Sequence, residues 1–273
     1  MFRKYIMVKN IKISYLEFIN NNSNKLIIVG HGASMQADFL APFAKLLNKK
    51  YNVIVVDLPA HGNSQGEVIP TLEGIAEFHE QFANALKKEE KLPEDVTFIG
   101  YSLSACAAVE IGCRNYYKNL KRLIIVSGAP KVNVDFNIIE DTKIDGKYNL
   151  SELFKGFWTS STKEETKNFL KSFNKIRKTS DESVIIDFKS VIGWDRSEDL
   201  NLVKVPSLTV IGDQDNLTLV EDAIKLKNIP KSELAVFNNE SHGLVYNKTE
   251  QVVNVIFDFM SRYCTTPIMC NSK

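Results

Sequence analysis

Short, almost wholly apolar runs alternate with helix-length stretches through the first half of the chain, and that rhythm leaves few architectures open. Residues 25–30 (KLIIVG), 51–57 (YNVIVVD), 96–101 (VTFIGY) and 120–127 (LKRLIIVS) are rich in β-branched residues and nearly continuous in hydrophobicity. A strand covered on one face alternates apolar with polar. A strand covered on both faces does not, and parallel sheets are covered on both. The intervening stretches predict helices over 38–49, with Pro42 near the first turn, over 72–88, ahead of a break at Pro93, and over 103–118. Strand–helix–strand repetition implies right-handed crossovers and an open parallel sheet. Upstream, 12–18 (KISYLEF) alternates more plainly, which suits an antiparallel edge strand that begins the sheet.

The rhythm stops at about residue 131. From there to about 200 the chain is rich in lysine and asparagine and predicts three helices, over 151–158, 162–177 and 181–192, with no convincing strand between them. Each starts at or beside a Ser, Thr or Asp able to accept from its free amides. Their aromatics, Phe154, Phe157, Trp158, Phe169, Phe173 and Phe188, with Trp194 beyond them, need a surface to cover, and the end of the sheet offers one. Strand patterns resume at 207–212 (SLTVIG) and 233–237 (ELAVF), flanking a helix around 219–227. A last amphipathic helix repeats Val252, Ile256, Phe259, Met260 and Tyr263 along one face, with Asn247 as its expected cap and Glu250 three residues later. The expected division is a core of 1–130 and 201–273 with a helical cap inserted over 131–200.

Charge and cysteine content narrow the function classes. Lys+Arg 34 against Asp+Glu 33 leaves a net charge of +1, so no global field draws the chain to nucleic acid or an anionic membrane. Four cysteines in 273 residues cannot staple a fold of this size. Cys106, Cys113, Cys264 and Cys270 lack zinc-ligand spacing and read as reduced structural thiols. Arg3, Lys4, Lys9 and Lys12 interrupt the first residues, so no signal-peptide core forms there, and the longest apolar runs are far short of a membrane span. The expectation is a cytoplasmic protein of unspecified oligomeric state.

The chemistry concentrates at Gly100-Tyr101-Ser102-Leu103-Ser104, where a buried strand meets a helix rich in small residues. A serine at such a junction sits on a sharp turn, and small residues two before and two after it let strand and helix approach. Its hydroxyl is presented at a helix N-terminus, where free N–H groups suit a developing oxyanion. Three other groups reach the same sheet edge, each after a predicted strand: His31-Gly32-Ala33, Asp215 and His242. Catalytic and ligand-binding groups of open α/β sheets gather at those strand ends.

The order serine, acid, histidine resembles that of the α/β-hydrolase superfamily, in particular its lid-bearing serine esterases and lipase-like members. The resemblance runs from about residue 12 to 263. It is carried by His31-Gly32, similar to the family's oxyanion loop, and by 57–64 (DLPAHGNS), similar to its D-x-x-G-x-G-x-S segment. It is carried too by 212–215 (GDQD), similar to its acid turn, and by 241–243 (SHG), similar to its catalytic-histidine loop. Ser104 and Ala60 depart from it, each standing where glycine is usual; both are small enough for the turns to close.

The resemblance implies an α/β-hydrolase fold and a serine hydrolase cleaving a small or medium carboxylic ester or related acyl compound through an acyl-enzyme. Ser102 would be nucleophile, His242 base and Asp215 its orienting acid, with the backbone N–H groups of Ala33 and Leu103 as oxyanion donors. Asp213 competes with Asp215, but the tight turn after the strand favours the later residue. His31, Tyr101, Phe157, Trp158 and Trp194 are the candidates to line the pocket. No metal or organic cofactor is implied, and the partner is a small-molecule acyl substrate rather than nucleic acid or membrane.

An aspartate nucleophile, expected for a haloalkane dehalogenase or epoxide hydrolase, is absent from the elbow. Acyltransfer, thioester, lactone or carbon–carbon bond cleavage remain open on the same triad, as does a non-catalytic receptor or interaction module. The remaining histidines have blander readings. His61 reads as a loop hydrogen-bonder whose best functional role is support near the acid, His79 as a solvated helix-surface residue, and His31 as a residue that shapes its loop.

Overall fold

The computed structural model describes residues 1–115, 117–132, 136–144, 147–149, 173 and 175–263. The strands are β1 (Phe2–Val8), β2 (Ile11–Phe18), β3 (Leu26–Gly30), β4 (Asn52–Val56), β5 (Val96–Tyr101), β6 (Leu120–Val126), β7 (Lys143–Ile144), β8 (Lys147–Tyr148), β9 (Ser207–Gly212) and β10 (Ser232–Phe237). Eight of them form one sheet in the order β1-β2-β4-β3-β5-β6-β9-β10. β1 and β2 are antiparallel to each other, and β2 to β4; every later pair is parallel. This is an α/β-hydrolase sheet. The connection after β3 runs to β4 on one side and the connection after β5 runs to β6 on the other, so the crevice between the ends of β3 and β5 is the topological switch point.

The continuous hydrophobicity of the central strands has its cause in two cores. Ile28, Ile54, Phe98 and Ile125 face one of them, together with α2 (Leu72–Lys88) and α3 (Leu103–Arg114). Their sequence neighbours Ile27, Val53, Ile99 and Ile124 face the other, with α1 (Ala41–Leu47) and α5 (Thr249–Arg262), the latter numbered after α4 (Asp181–Lys189). Both faces of each strand are therefore apolar.

Several sequence expectations shift. The sheet begins at β1, not at residue 12: β1 forms the outer edge, and 11–18 lies second, between it and β4. The predicted helix over 103–118 stops at Arg114, because Asn115 turns left-handed at φ 53°. Asn247 does not cap α5; it ends a separate single turn, Leu244–Asn247, and α5 starts after Lys248 without a side-chain cap. The expected 219–227 helix is one α turn followed by a 3-10 turn. Between β6 and β9 a two-residue hairpin, β7–β8, appears where no strand was expected. The predicted helix 151–158 and most of 162–177 lie outside the described residues, as do Phe157, Trp158, Cys264 and Cys270. Cys106 and Cys113 are free and buried.

The segment between β6 and β9 is tied at its two ends. Lys131 bridges to Asp195, and the Arg196 amide donates to the Pro130 carbonyl at 2.8 Å. Arg196 then clamps the buried Glu110 of α3 with contacts of 2.6 and 2.8 Å, and the Trp194 indole N–H donates to the same carboxylate at 3.0 Å. Those donors overcome the cost of burying Glu110 and hold its pKa below the ordinary carboxylate value. α4 lies within this segment, and Ser180 caps it by accepting from the Ser183 amide at 3.1 Å.

Candidate active site

Ser102 connects β5 to α3 with φ 54° and ψ −115°, a region that a side chain enters only under constraint. The constraint is steric. A Cβ on Gly100 would lie 2.0 Å from the Ser104 carbonyl oxygen, so no side chain fits there. Ser104 itself fits because the neighbouring strand has Gly30, where a Cβ would come within 2.7 Å of the Ser104 side chain. The Ser104 hydroxyl donates to the His31 carbonyl at 2.6 Å, tying the turn to the loop after β3. It is therefore a buried brace and does not open toward the cleft.

His242 comes from the loop after β10. Its Nε2 lies 2.8 Å from Ser102 Oγ, and its Nδ1 lies 2.8 Å from Asp215 Oδ2 and 3.1 Å from Oδ1. Asp215 also accepts from the Leu217 amide at 3.0 Å, the Thr218 amide at 2.9 Å and the Thr218 hydroxyl at 2.8 Å. Burial opposes its ionisation, but His242 and the Thr218 donors outweigh burial and hold its pKa below the ordinary value. An ionised Asp215 only accepts, so the imidazole proton sits on Nδ1. Nε2 is then left as acceptor for the serine hydroxyl. The histidine loop is fixed through its own carbonyl, which accepts from Tyr101 Oη at 3.1 Å and Ser127 Oγ at 3.3 Å. Asp213, the competing acid, is exposed.

Ala33, Ser102 and Leu103 meet in one cleft, whose other walls are Cys106, Val132, Asp187, Phe188, Val191, Leu217 and Thr218. Among the described residues neither the Ala33 nor the Leu103 amide donates to another protein group. Three of the sequence's pocket candidates do not line this cleft. His31 is sealed in its loop, where Nδ1–H donates to the Gly32 carbonyl at 2.8 Å and Nε2 accepts from the Leu58 amide at 3.1 Å. Burial pushes its pKa down to about 3, so it stays neutral. Tyr101 packs under His242, and Trp194 is committed to Glu110. Phe157 and Trp158 lie outside the described residues.

Two histidines differ from their sequence readings. His79 is buried against Phe98, its centroid 4.7 Å away, rather than solvated, and among the described residues neither of its ring nitrogens has a partner. Burial lowers its pKa to about 3. His61 is a hydrogen-bonder, but its carboxylate partner is Asp187 of α4, 2.8 Å from Nε2, and not the Asp215 turn. Asp187 also accepts from the Ser34 amide at 2.7 Å. It thereby pins the loop that carries Ala33, where Ser34 has φ 66°. Sequence reasoning passed over Asp187. Its signal is a carboxylate on the buried face of α4, between Val184, Ile185 and Phe188.

Known proteins show the same arrangement of the chain. Residues 26–255 match the model of the alpha/beta hydrolase family. The chain is 24% identical to a pimeloyl-[acyl-carrier protein] methyl ester esterase of Legionella pneumophila (strain Paris), over 86% of this chain and 94% of that one. It is also 24% identical to a proline iminopeptidase of Saccharolobus solfataricus, over 94% of this chain and 92% of that one. Among solved structures, an enol-lactonase from Burkholderia xenovorans LB400 superposes with a TM-score of 0.82 at 18% identity, covering 94% of this chain and 100% of that one. A family match over most of the chain, on a sheet with this strand order and a serine at this elbow, has one consequence: the chain belongs to the alpha/beta hydrolase family.

Proposed function

We propose that the protein is a serine hydrolase that cleaves a carboxylic ester through an acyl-enzyme on Ser102. The observation that carries this reading is the unbroken relay from Asp215 through His242 to the Ser102 hydroxyl, in a cleft also walled by Ala33 and Leu103. Ser102 Oγ attacks the ester carbonyl carbon while its proton passes to His242 Nε2. The carbonyl oxygen becomes an oxyanion, received by the amides of Ala33 and Leu103. Collapse breaks the carbon–oxygen bond, and the His242 imidazolium returns its proton to the departing alkoxide. Water, deprotonated by the same histidine, then releases the acid and restores Ser102. Asp215 fixes the tautomer throughout. A cap role for the segment between β6 and β9 is supported by its pinned ends and by Val132, Asp187, Phe188 and Val191, which supply part of the cleft wall.

The apolar walls favour an uncharged acyl or alcohol group, and similarity to an acyl-carrier-protein methyl ester esterase supports an ester over other acyl compounds. A fluorophosphonate should label the protein stoichiometrically at Ser102, and Ser102→Ala should abolish labelling. A chain-length series of p-nitrophenyl esters, with lactones and thioesters in parallel, should show ester turnover. Labelling without turnover of any ester would instead favour a receptor that keeps a reactive serine.

A further inference from the structure

Asp187 occupies an unusual place: it is an acidic residue of α4 lining a cleft otherwise walled mostly by apolar side chains. Among the described residues only one of its carboxylate oxygens is used. Oδ2 accepts from His61 Nε2 and from the Ser34 amide, and both side chains of the His61–Asp187 pair are 1% exposed. Oδ1 has no partner among the described residues, and Asp187 is one of the residues that line the cleft. A carboxylate oxygen in such surroundings is costly unless something donates to it.

His61 determines what that donor is. Its Nδ1–H donates to the Pro59 carbonyl at 2.8 Å, and its Nε2 faces the carboxylate, so both nitrogens carry protons and the ring is cationic. Burial opposes that state, but the charge and hydrogen bond of Asp187, aided by Pro59, outweigh it and raise the His61 pKa. The pair is therefore neutral overall. A neutral pair with one free lone-pair oxygen accepts a hydroxyl or amide N–H without demanding a positive charge, whereas a buried ammonium would find no net countercharge.

Building on the serine-hydrolase reading, we propose that Asp187 determines substrate specificity: its Oδ1 receives an uncharged hydrogen-bond donor, such as a hydroxyl, from the acyl or alcohol portion of the ester held on Ser102. Asp187 does not touch the reacting atoms in this role. Its effect enters through binding, and so through KM more than kcat.

The test compares matched pairs in kcat/KM. Methyl hexanoate is set beside its 2-, 3- and 6-hydroxy counterparts and beside methyl 6-aminohexanoate in its ammonium form; propyl hexanoate is set beside 2-hydroxyethyl hexanoate. In the wild type at least one hydroxy ester should exceed its parent by about tenfold or more, mainly in KM, the scale of one hydrogen bond to a charged acceptor. Asp187→Asn should reduce that advantage to within about threefold. His61→Gln keeps a donor to the carboxylate but removes its cation, and should move the preference toward the ammonium ester. Equal ratios in wild type and Asp187→Asn for every pair would overturn the proposal, as would a wild-type preference for the ammonium ester. Absence of fluorophosphonate labelling at Ser102 in the wild type would instead remove the serine-hydrolase reading beneath it.

Discussion

Two buried histidine–aspartate pairs lie near one another in this molecule, each with a nitrogen–oxygen contact of 2.8 Å: His242 with Asp215, and His61 with Asp187. What separates them is the group facing the other ring nitrogen. For His242 it is the Ser102 hydroxyl, which can give up its proton; for His61 it is the Pro59 carbonyl, which can only accept. The first imidazole is therefore free to take a proton, while the second is locked as a donor at both ends. They differ also in the support of their carboxylates. Among the described residues, Asp215 retains three donors from Leu217 and Thr218 without its histidine, whereas Asp187 retains only the Ser34 amide. An identical pair thus yields a proposed base in one place and a fixed, neutral fixture in the other.

The largest effect should separate the pairs by catalysis. His242→Ala is expected to lower kcat by about 10⁴-fold or more, on the scale of removing a triad histidine, and Asp215→Asn by about 10⁴-fold. Steady-state kinetics on the best ester checks this. The contrast breaks if His61→Ala costs as much in kcat as His242→Ala.

Stability should reverse the ranking. His61→Ala leaves the Asp187 charge buried with a single donor, and should destabilise the fold by about 3–5 kcal/mol. His242→Ala should cost clearly less, because Asp215 keeps its turn. Urea unfolding of the two variants measures the difference; equal losses would mean that the second ring partner does not matter.

The pH dependence of stability sharpens the comparison at smaller scale. His61 has a raised pKa, so its contribution is full below the ordinary histidine value and is lost as pH rises through the raised one. His31 and His79 are opposite cases, buried and lowered from 6.5 to about 3. The unfolded chain takes up protons that the folded one refuses, so their contribution is present above the ordinary value and falls as pH drops toward the lowered one. Each contributes a slope of about 1.4 kcal/mol per pH unit. His79→Leu, nearly volume-conserving and lacking unpartnered nitrogens, should remove one such slope from the acid limb of a stability–pH curve. An unchanged acid limb would exclude His79 as a contributor.

Much of the fold was legible because it follows from local pattern. Continuous apolar runs announced β3, β4, β5, β6 and β9, since a strand buried on both faces has no polar side to show. β1 escaped notice because an edge strand carries exposed residues such as Phe2, Tyr5 and Met7 and lacks that signature. The elbow and its partners were legible as short motifs at strand ends. His79 was misplaced because the nearby Glu77 and Glu80 suggest a solvated helix face in the sequence, while helix α2 turns position 79 inward against Phe98.

The chain's own order of apolar runs, glycines and strand-end motifs determined the sheet, the elbow and which serine, histidine and aspartate meet there, because these depend on periodicity and on backbone geometry that only small residues allow. Tertiary structure alone decided that Ser104 fits against Gly30, that Trp194 serves Glu110, and that Asp187 crosses from a distant helix to His61 and Ser34. Those outcomes depend on which side chains share a buried space, and a contact between residues far apart in sequence is set by packing and desolvation that no local pattern encodes.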